Sequence, residues 1–263
     1  MNKLQKITNY AKNYRKALFE KFLAIGEGHP GSTFSMLDIV TTLFHGGYIN
    51  PLRDKIIISK GHATVALYPI LVDLKIIKYE DWLNWGSAKK SILRVFGNTS
   101  IPGIDATTGS LGHGVGIAFG MALALKKSKL KDKVFVVISE GELYEGSTWE
   151  ALLIASHHNL DNLTIIIDIN SLIILGNTND CVNLNPILNK VKGFNFNLSS
   201  CNGNSIEELI HVFDNNKKIK KTSLVLASTV KGKGFSIMEN KNYWHYMNKM
   251  TTEEIINARE EIK

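Results

Sequence analysis

The sequence predicts an α/β protein with a doubly wound, mostly parallel sheet and helices on both faces. Three short segments are apolar at nearly every position, namely residues 133–139, Leu163–Ile169 and 224–227. Strands that are apolar on both faces are typical of a parallel sheet covered by helices on each side. Helical patterns lie between these segments, at Gly146–His158 and at residues 205–213. This alternation indicates βαβ units.

The composition is that of an ordinary globular protein. The chain has 263 residues, of which 44% are hydrophobic and 21% are charged. These values exclude a disordered chain, a collagen-like fibre and a small disulfide-stapled protein. Only five prolines are present, and no Ser/Pro/Gly-rich stretch is typical of a linker. We therefore expect a single domain over residues 1–263.

The first part of the chain is predicted to contain two helices and a strand. Apolar residues recur every three or four positions from Leu4 to Phe22, which predicts an amphipathic helix. A Gly/Pro-rich run at residues 26–31 is expected to interrupt any helix. A second helix is predicted over residues 35–44, and the β-branched run 55–59 predicts a strand.

The segment between the predicted strand at 55–59 and the apolar run at 133–139 is predicted to be less regular. A helical stretch follows the first strand and continues to Leu71, and we then expect irregular structure as far as Thr108. Residues 109–114 open a helix of small residues. Small side chains permit the close approach of another helix or of a neighbouring chain.

The charge balance and the cysteines favour a cytoplasmic protein. Lys and Arg outnumber Asp and Glu by 31 to 24, but the lysine clusters at 126–131 and 217–221 contain no interleaved aromatic residue. A nucleic-acid-binding surface is therefore not favoured. The apolar runs are far shorter than the ~20 residues of a membrane span, so no membrane partner is expected. Cys181 and Cys201 lack metal-like spacing, which indicates a reduced environment.

Polar residues follow two neighbouring strands of the predicted sheet. Glu140 and Gly141 end one strand, and Asn170 ends the next. Ligands bind at this carboxyl edge of an open parallel sheet, and glycine lets a phosphate approach the backbone. Carboxylate, amide and carbonyl oxygens are ligands that Mg²⁺ takes. The residues thus suggest a Mg²⁺-diphosphate site that includes the carbonyl of Leu172, although an acid-glycine pair is equally common in an ordinary turn.

Five segments in order along the chain resemble one enzyme family. They are Gly28-His29-Pro30-Gly31, Ser59-Lys60-Gly61-His62-Ala63, Thr108-Gly109-Ser110-Leu111-Gly112-His113-Gly114, Glu140-Gly141-Glu142 with Asn170, and Thr229-Val230-Lys231-Gly232-Lys233-Gly234 with Trp244-His245. Together they resemble the N-terminal, thiamine diphosphate-binding half of transketolases. The resemblance covers some two hundred residues and implies the thiamine diphosphate-binding fold.

The resemblance implies a role for each matching residue. Mg²⁺ would be held by Glu140, Asn170 and Leu172. The cofactor would be contacted by His62, Gly109, Leu111, Gly141, Glu140, Asn170 and His245. His29 and His245 would act catalytically, in proton transfers at the hydroxyls of the sugar. Glu145 and Glu150 would join a carboxylate network between two active sites of a dimer.

The implied activity is that of a transketolase-like transferase. Such an enzyme moves a two-carbon ketol unit from a ketose, or its phosphate, to an aldose. The pyrimidine-binding and C-terminal domains of the family have no counterpart here, so we expect them on a separate C-terminal subunit, within an α₂β₂ heterotetramer. The cofactors would be thiamine diphosphate and Mg²⁺, and this chain would be active only with its partner.

Two departures from the family pattern leave alternatives open. Glu140 stands where the family has aspartate, and the segment 94–103 lacks the histidine of a Gly-His-Pro motif. A specialised sugar pathway is therefore expected. The alternatives are a deoxyxylulose-phosphate-synthase-like or other thiamine diphosphate enzyme subunit, and a non-catalytic, degenerate scaffold subunit. The sequence names neither the sugars nor the partner chain.

Overall fold

A five-stranded parallel sheet forms the centre of the molecule. The computed structural model describes residues 1–87 and 89–263. The strands are β1 (Lys55–Ile58), β2 (Val134–Ser139), β3 (Leu163–Ile169), β6 (Asn197–Asn202) and β7 (Ser223–Ser228), with a separate antiparallel hairpin of β4 (Leu172–Ile173) and β5 (Gly176–Asn177). The spatial order is β1-β2-β3-β7-β6, and all neighbouring strands are parallel. This confirms the predicted α/β fold.

Helices connect the strands and cover the sheet. The α-helices are α1 (Lys3–Ile25), α2 (Pro30–His45), α3 (Tyr68–Asp73), α4 (Tyr79–Leu83), α5 (Gly114–Lys127), α6 (Gly146–His158), α7 (Thr178–Cys181), α8 (Ile187–Val191), α9 (Ile206–Asn216) and α10 (Thr252–Glu261). In the part of the chain that the structure describes, 3₁₀ helices span Gly61–Leu67, Glu140–Tyr144 and Asn242–His245. Among the described residues, no helix combines the length and apolar character needed to cross a membrane.

The run at residues 26–31 ends one helix and begins the next. Gly26 adopts φ 72° after the last turn of α1, a conformation that favours glycine. The prediction that α2 begins at Ser35 was wrong, since α2 begins at Pro30. Proline fits the first helical position because its missing N–H would have no partner there. The early start places His29 at the N-cap, directly above the carboxyl edge of the sheet.

Two apolar layers form on opposite faces of the sheet. Phe135 and Val137 of β2 pack into a cluster with side chains of α1 and α2, whereas Val136 and Ile138 pack into a second cluster with α5 and α6. This alternation explains why the strands are apolar at consecutive positions. Burying each such side chain contributes about 1.5–3 kcal/mol. Both layers hold the carboxyl ends of the strands in fixed positions.

Some elements were not predicted from the sequence. The edge strand β6 has the polar sequence Asn-Leu-Ser-Ser-Cys-Asn and pairs only with β7 in the described sheet. The hairpin β4–β5 has two residues in each strand. The segment expected to be irregular before Thr108 contains α4, and α5 begins at Gly114 rather than at residue 109. Short or polar elements of this kind carry little periodicity for a sequence pattern to detect.

The register of the central strands brings their last residues together. Ser139 of β2 lies opposite Asp168 of β3, which in turn lies opposite Ala227 of β7. The residues that follow these positions therefore leave the sheet at the same edge. That edge carries the largest concentration of polar residues from the predicted site.

Candidate functional site

A cavity of about 380 Å³ opens at the carboxyl edge of the sheet. Its walls come from the ends of β1, β2, β3 and β7 and from the segments that follow them. The lining residues are His29, Ser32, Lys60, His62, Phe96, Gly109, Leu111, Ser139, Glu140, Gly141, Tyr144, Glu145, Asn170, Leu172, Ile173, Ile174, Leu175, Lys231, His245 and Tyr246. The volume suits a small-molecule cofactor.

The cavity brings together nearly all residues singled out from the sequence. Those that line it are His29, His62, Gly109, Leu111, Glu140, Gly141, Glu145, Asn170, Leu172 and His245. Glu150 is the exception, because it lies exposed on α6 and does not line the cavity. Glu145 is also exposed, at the N-cap of α6. The predicted carboxylate network thus has one member at the rim of the cavity and one outside it.

Three histidines converge on one side of the cavity. The ring centroid of His29 lies 4.9 Å from that of His62 and 5.5 Å from that of His245. Burial, and then the charge of Lys231, lowers the pKa of His29 and of His245 to about 4. Burial also lowers the pKa of His62 well below its usual value, with His29 the next cause. All three rings are therefore neutral near pH 7 and can both donate and accept hydrogen bonds.

Two lysines place positive charge deep in the cavity. Lys60 and Lys231 are each only 1% exposed. Burial, and then the charge of Lys60, lowers the pKa of Lys231 to about 8. The Nζ of Lys231 lies 3.1 Å from Nδ1 of His245 and 3.3 Å from the carbonyl oxygen of Leu172. Because Lys60 is paired with Asp168, Lys231 is the lysine whose charge suits an anionic ligand.

Neither lysine was assigned a role from the sequence. Both stand in the segments that resemble the family, in Ser59-Lys60-Gly61-His62 and in Val230-Lys231-Gly232-Lys233. The available signal was a lysine directly before a glycine, shortly after a strand. Their burial, which makes them informative, depends on the tertiary fold.

Two side chains with acceptor oxygens, Glu140 after β2 and Asn170 after β3, line the cavity. The carboxylate of Glu140 accepts hydrogen bonds from the backbone N–H of Ser171 and from the hydroxyl of Thr178, both at 2.8 Å. The side-chain oxygen of Asn170 accepts from the backbone N–H of Leu172 at 3.2 Å. The extra methylene of glutamate thus lets Glu140 reach the hairpin β4–β5 and the start of α7.

These oxygens form a donor set that fits a hard divalent cation. A carboxylate offers about four lone-pair positions, so the two bonds to Glu140 leave room for a metal. Amide and carbonyl oxygens likewise have a second lone pair. The described residues hold no group of three or more His, Cys, Asp or Glu side chains that could bind a metal. A site of one carboxylate, one amide and one carbonyl is instead the kind that Mg²⁺ takes together with ligand phosphates.

Glu142 fixes the loop that carries Gly109 and Leu111. Its carboxylate is fully buried and accepts from the hydroxyl of Ser59, from the N–H of Gly112 at 3.0 Å and from the N–H of Ser139 at 2.9 Å. Burial raises the pKa of Glu142. The side chain joins β1, β2 and the loop before α5, and so sets the shape of the wall.

The mouth of the cavity is apolar. Phe96 is 44% exposed, Tyr246 50% and Leu175 80%. The rings of Tyr246 and Phe96 lie 4.8 Å and 5.5 Å from the ring of His29. Phe96 belongs to the segment that lacks the Gly-His-Pro histidine. Aromatic surface thus stands beside His29.

Comparison with known proteins identifies relatives over the whole fold. Residues 8–262 match the family model described as "Transketolase, thiamine diphosphate binding domain". The chain is 37% identical over 229 residues to one subunit of the apulose-4-phosphate transketolase of Actinobacillus succinogenes, covering 83% of this chain and 82% of the relative. It is 33% identical over 260 residues to a 6-deoxy-6-sulfo-D-fructose transketolase subunit of a Clostridium species, covering 94% of this chain and 92% of the relative.

The fold is also similar to that of a solved transketolase. The crystal structure of transketolase from Campylobacter jejuni superposes with a TM-score of 0.86 at 29% identity. The match covers 100% of this chain and 43% of the Campylobacter protein. The chain therefore spans about two fifths of the length of that enzyme, whereas it spans most of the length of the relatives named as subunits.

Proposed function

This chain belongs to the transketolase family of thiamine diphosphate-binding domains, and from that premise we propose that it is the cofactor-binding subunit of a two-chain transketolase. The enzyme would transfer a two-carbon ketol unit from a ketose, or its phosphate, to an aldose. The observation that carries the proposal is a single cavity lined by buried Lys60 and Lys231 and by Glu140, Asn170 and Leu172.

The cavity suits both parts of a metal-diphosphate group. Glu140, Asn170 and the carbonyl of Leu172 would hold Mg²⁺. Gly141 leaves the backbone accessible beside them, and Lys231 supplies positive charge for diphosphate oxygens. The other residues assigned to the cofactor are His62, Gly109, Leu111 and His245. When bound, thiamine diphosphate supplies the nucleophilic carbon that adds to the carbonyl of a ketose.

Two histidines would exchange protons with the hydroxyls of the substrate. Lys231 at 3.1 Å from Nδ1 of His245 acts as the donor when it is protonated. This fixes the tautomer of His245, because its Nδ1 accepts and its proton then lies on Nε2. Nδ1 of His29 is buried and has no partner in the described residues, so no hydrogen bond at this atom fixes the tautomer of the ring. His29 is neutral near pH 7 and can accept a proton, whereas neutral His245 in this tautomer presents the N–H of Nε2 as a donor.

A second polypeptide would complete the active site. Two relatives that this chain spans over most of their length are named as subunits, and the solved Campylobacter enzyme is more than twice as long. We propose a separate C-terminal subunit in an α₂β₂ assembly, with residues 1–263 forming the thiamine diphosphate-binding domain. The carboxylates of Glu145 and Glu150 would lie between its active sites. A cytoplasmic location is part of this proposal.

The apolar mouth favours a specialised sugar over a general one. Phe96 and Tyr246 place aromatic faces beside His29. The ring of Phe96 offers no hydrogen bond to a substrate hydroxyl, and its segment lacks the Gly-His-Pro histidine. We therefore propose a substrate from a dedicated sugar pathway.

The test is a product analysis of the complex of this chain with its partner, supplied with thiamine diphosphate and Mg²⁺. One reaction contains a ketose donor and an aldose acceptor, and the other contains pyruvate and the same aldose. We expect the aldose to be converted into a ketose that is two carbons longer only in the reaction with the ketose donor. Products only from pyruvate would favour a deoxyxylulose-phosphate-synthase-like enzyme. No product in either, with no bound cofactor, would favour a scaffold subunit.

A further inference from the structure

A chain of buried hydrogen bonds connects Asn170 to an ion pair beneath the cavity. Nδ2 of Asn170 donates to the hydroxyl of Ser35 on α2 at 3.0 Å. Ser35 in turn lies 2.8 Å from both carboxylate oxygens of Asp168, which is paired with Lys60. We infer that Ser35 is a positioning residue that turns the amide oxygen of Asn170 toward the metal-binding side of the cavity. This inference rests on the proposed function and names a further residue for the same site.

The direction of each hydrogen bond follows from the groups involved. The ammonium of Lys60 can only donate, and the carboxylate of Asp168 can only accept. Ser35 has a single proton, which goes to Asp168 or to the hydroxyl of Thr229 at 2.8 Å. Thr229 donates its own proton to Asp168 or to Ser35. In every arrangement the oxygen of Ser35 keeps a lone pair for Asn170.

These constraints select one orientation of the Asn170 amide. In the reverse orientation, its NH₂ would face the N–H of Leu172, so that two donors would meet. Its oxygen would face Ser35, whose proton would then have to be withdrawn from Asp168. In the observed orientation the NH₂ faces Ser35 and the oxygen accepts from Leu172 at 3.2 Å. That oxygen keeps a second lone pair, and Asn170 lines the same cavity as Glu140 and Leu172.

The orientation of the Asn170 amide is strongly favoured because its hydrogen-bond partners are buried. Ser35 and Asp168 are fully buried, and Lys60 is 1% exposed. Water therefore cannot replace a lost partner at little cost. Removing the hydroxyl of Ser35 leaves Asp168 with Lys60 and Thr229, so the ion pair keeps partners. The expected effect is on the amide of Asn170 rather than on the fold.

The test compares variants of the full chain in its complex with the partner subunit. At saturating thiamine diphosphate, Mg²⁺ is titrated by calorimetry, and the melting temperature is recorded separately. We expect Ser35→Ala to raise the Mg²⁺ concentration at half-saturation tenfold or more, as is typical when an outer hydrogen bond to a metal ligand is lost. Ser35→Thr, which keeps the hydroxyl, should restore the wild-type value.

Two matched controls separate positioning from stability. Thr41→Val removes a fully buried hydroxyl from the same helix, and this hydroxyl has no hydrogen-bond partner in the described residues. Thr229→Val removes the other hydroxyl beside Asp168 without touching Asn170. Each of these two variants should change the Mg²⁺ concentration at half-saturation by less than twofold. If Ser35→Ala does not fold, Ser35→Cys fills the same space with a poor acceptor and should shift half-saturation in the same direction.

The outcomes decide between the inference and the proposed function. The role of Ser35 alone would be overturned if Ser35→Ala or Ser35→Cys showed the Mg²⁺ dependence of the wild type. Equal shifts of half-saturation in Ser35→Ala and Thr41→Val would overturn it as well. Wild-type protein that binds no thiamine diphosphate at any Mg²⁺ concentration would overturn both.

Discussion

The side chain of Glu140 carries the most unusual feature of the site. The family pattern has aspartate here, and the longer side chain reaches the N–H of Ser171 and the hydroxyl of Thr178. These bonds tie the end of β2 to the hairpin that contains Leu172. The added methylene is thus accommodated by the surrounding loop, and the carboxylate keeps lone pairs for a metal.

Removing the charge of Glu140 should weaken metal-dependent cofactor binding. We expect Glu140→Gln to raise the Mg²⁺ concentration needed for half-maximal thiamine diphosphate binding at least tenfold, because an amide is a poorer ligand for Mg²⁺ than a carboxylate. Calorimetry with the assembled complex measures this value. Glu207→Gln, on the exposed face of α9, is the control and should match the wild type. Stronger binding in Glu140→Asp than in the wild type would indicate a degenerate native site.

The buried His29 should make the chain sensitive to acid. Its pKa is about 4 in the folded state, against about 6.5 in an unfolded chain. Below pH 6.5 the unfolded state therefore binds more protons, so stability is present above pH 6.5 and is lost as the pH falls toward 4. The loss is on the order of 3 kcal/mol from this group.

Urea unfolding between pH 7 and pH 4.5 measures this effect. His29→Asn should show a shallower loss of unfolding free energy than the wild type. His113→Asn is the control, since His113 is exposed. Parallel pH profiles for wild type and His29→Asn would contradict the assignment.

At the level of elements, α5 contains three glycines, of which Gly114 and Gly116 have opposite surroundings. A Cβ on Gly114 would meet the side chain and the Cα of Ser59, whereas a Cβ on Gly116 would meet nothing within 4 Å. Gly114→Ala should lower the unfolding free energy by about 1–3 kcal/mol through overpacking. Gly116→Ala should raise it by about 0.5–1 kcal/mol through helix propensity.

Thermal and urea unfolding of the two variants check this prediction side by side. Each is the control for the other, because both add one methyl group to the same helix. Equal effects of the two substitutions would show that the contact of Gly114 with Ser59 does not determine the packing of α5 on β1.

The apolar strands and amphipathic helices were predictable, and the polar elements were not. β2 and β3 were recognisable because burial on both faces makes consecutive residues apolar, and α6 matched its predicted bounds of Gly146–His158. The polar edge strand β6 lacks that pattern. Its place in the sheet depends on pairing with β7, which is a contact between distant segments.

The candidate site likewise contains some residues that could be predicted from the sequence and others that could not. His29, Glu140 and Asn170 stand in recognisable motifs, and the fold brings them to one cavity. Lys60 and Ser35 act through burial and through partners such as Asp168, which is 133 residues away from Ser35 in the chain. Such effects cannot be derived from local spacing.

At the scale of the whole molecule, the chain corresponds to one part of a longer enzyme. It spans 43% of the solved Campylobacter transketolase. Its cavity has a polar floor with Lys231 and Glu140 and an apolar mouth with Phe96, Tyr246 and Leu175. We propose that the floor holds the metal-diphosphate part of the cofactor and that a second polypeptide supplies the rest of the site.

A native mass spectrum tests this central claim most directly. The protein is purified without chelator from cells that produce it at natural levels. We predict a species with two copies of this chain, two copies of a second chain, and bound thiamine diphosphate with Mg²⁺. A monomer or homodimer without cofactor, unchanged after thiamine diphosphate, Mg²⁺ and the candidate partner are added, would contradict the claim.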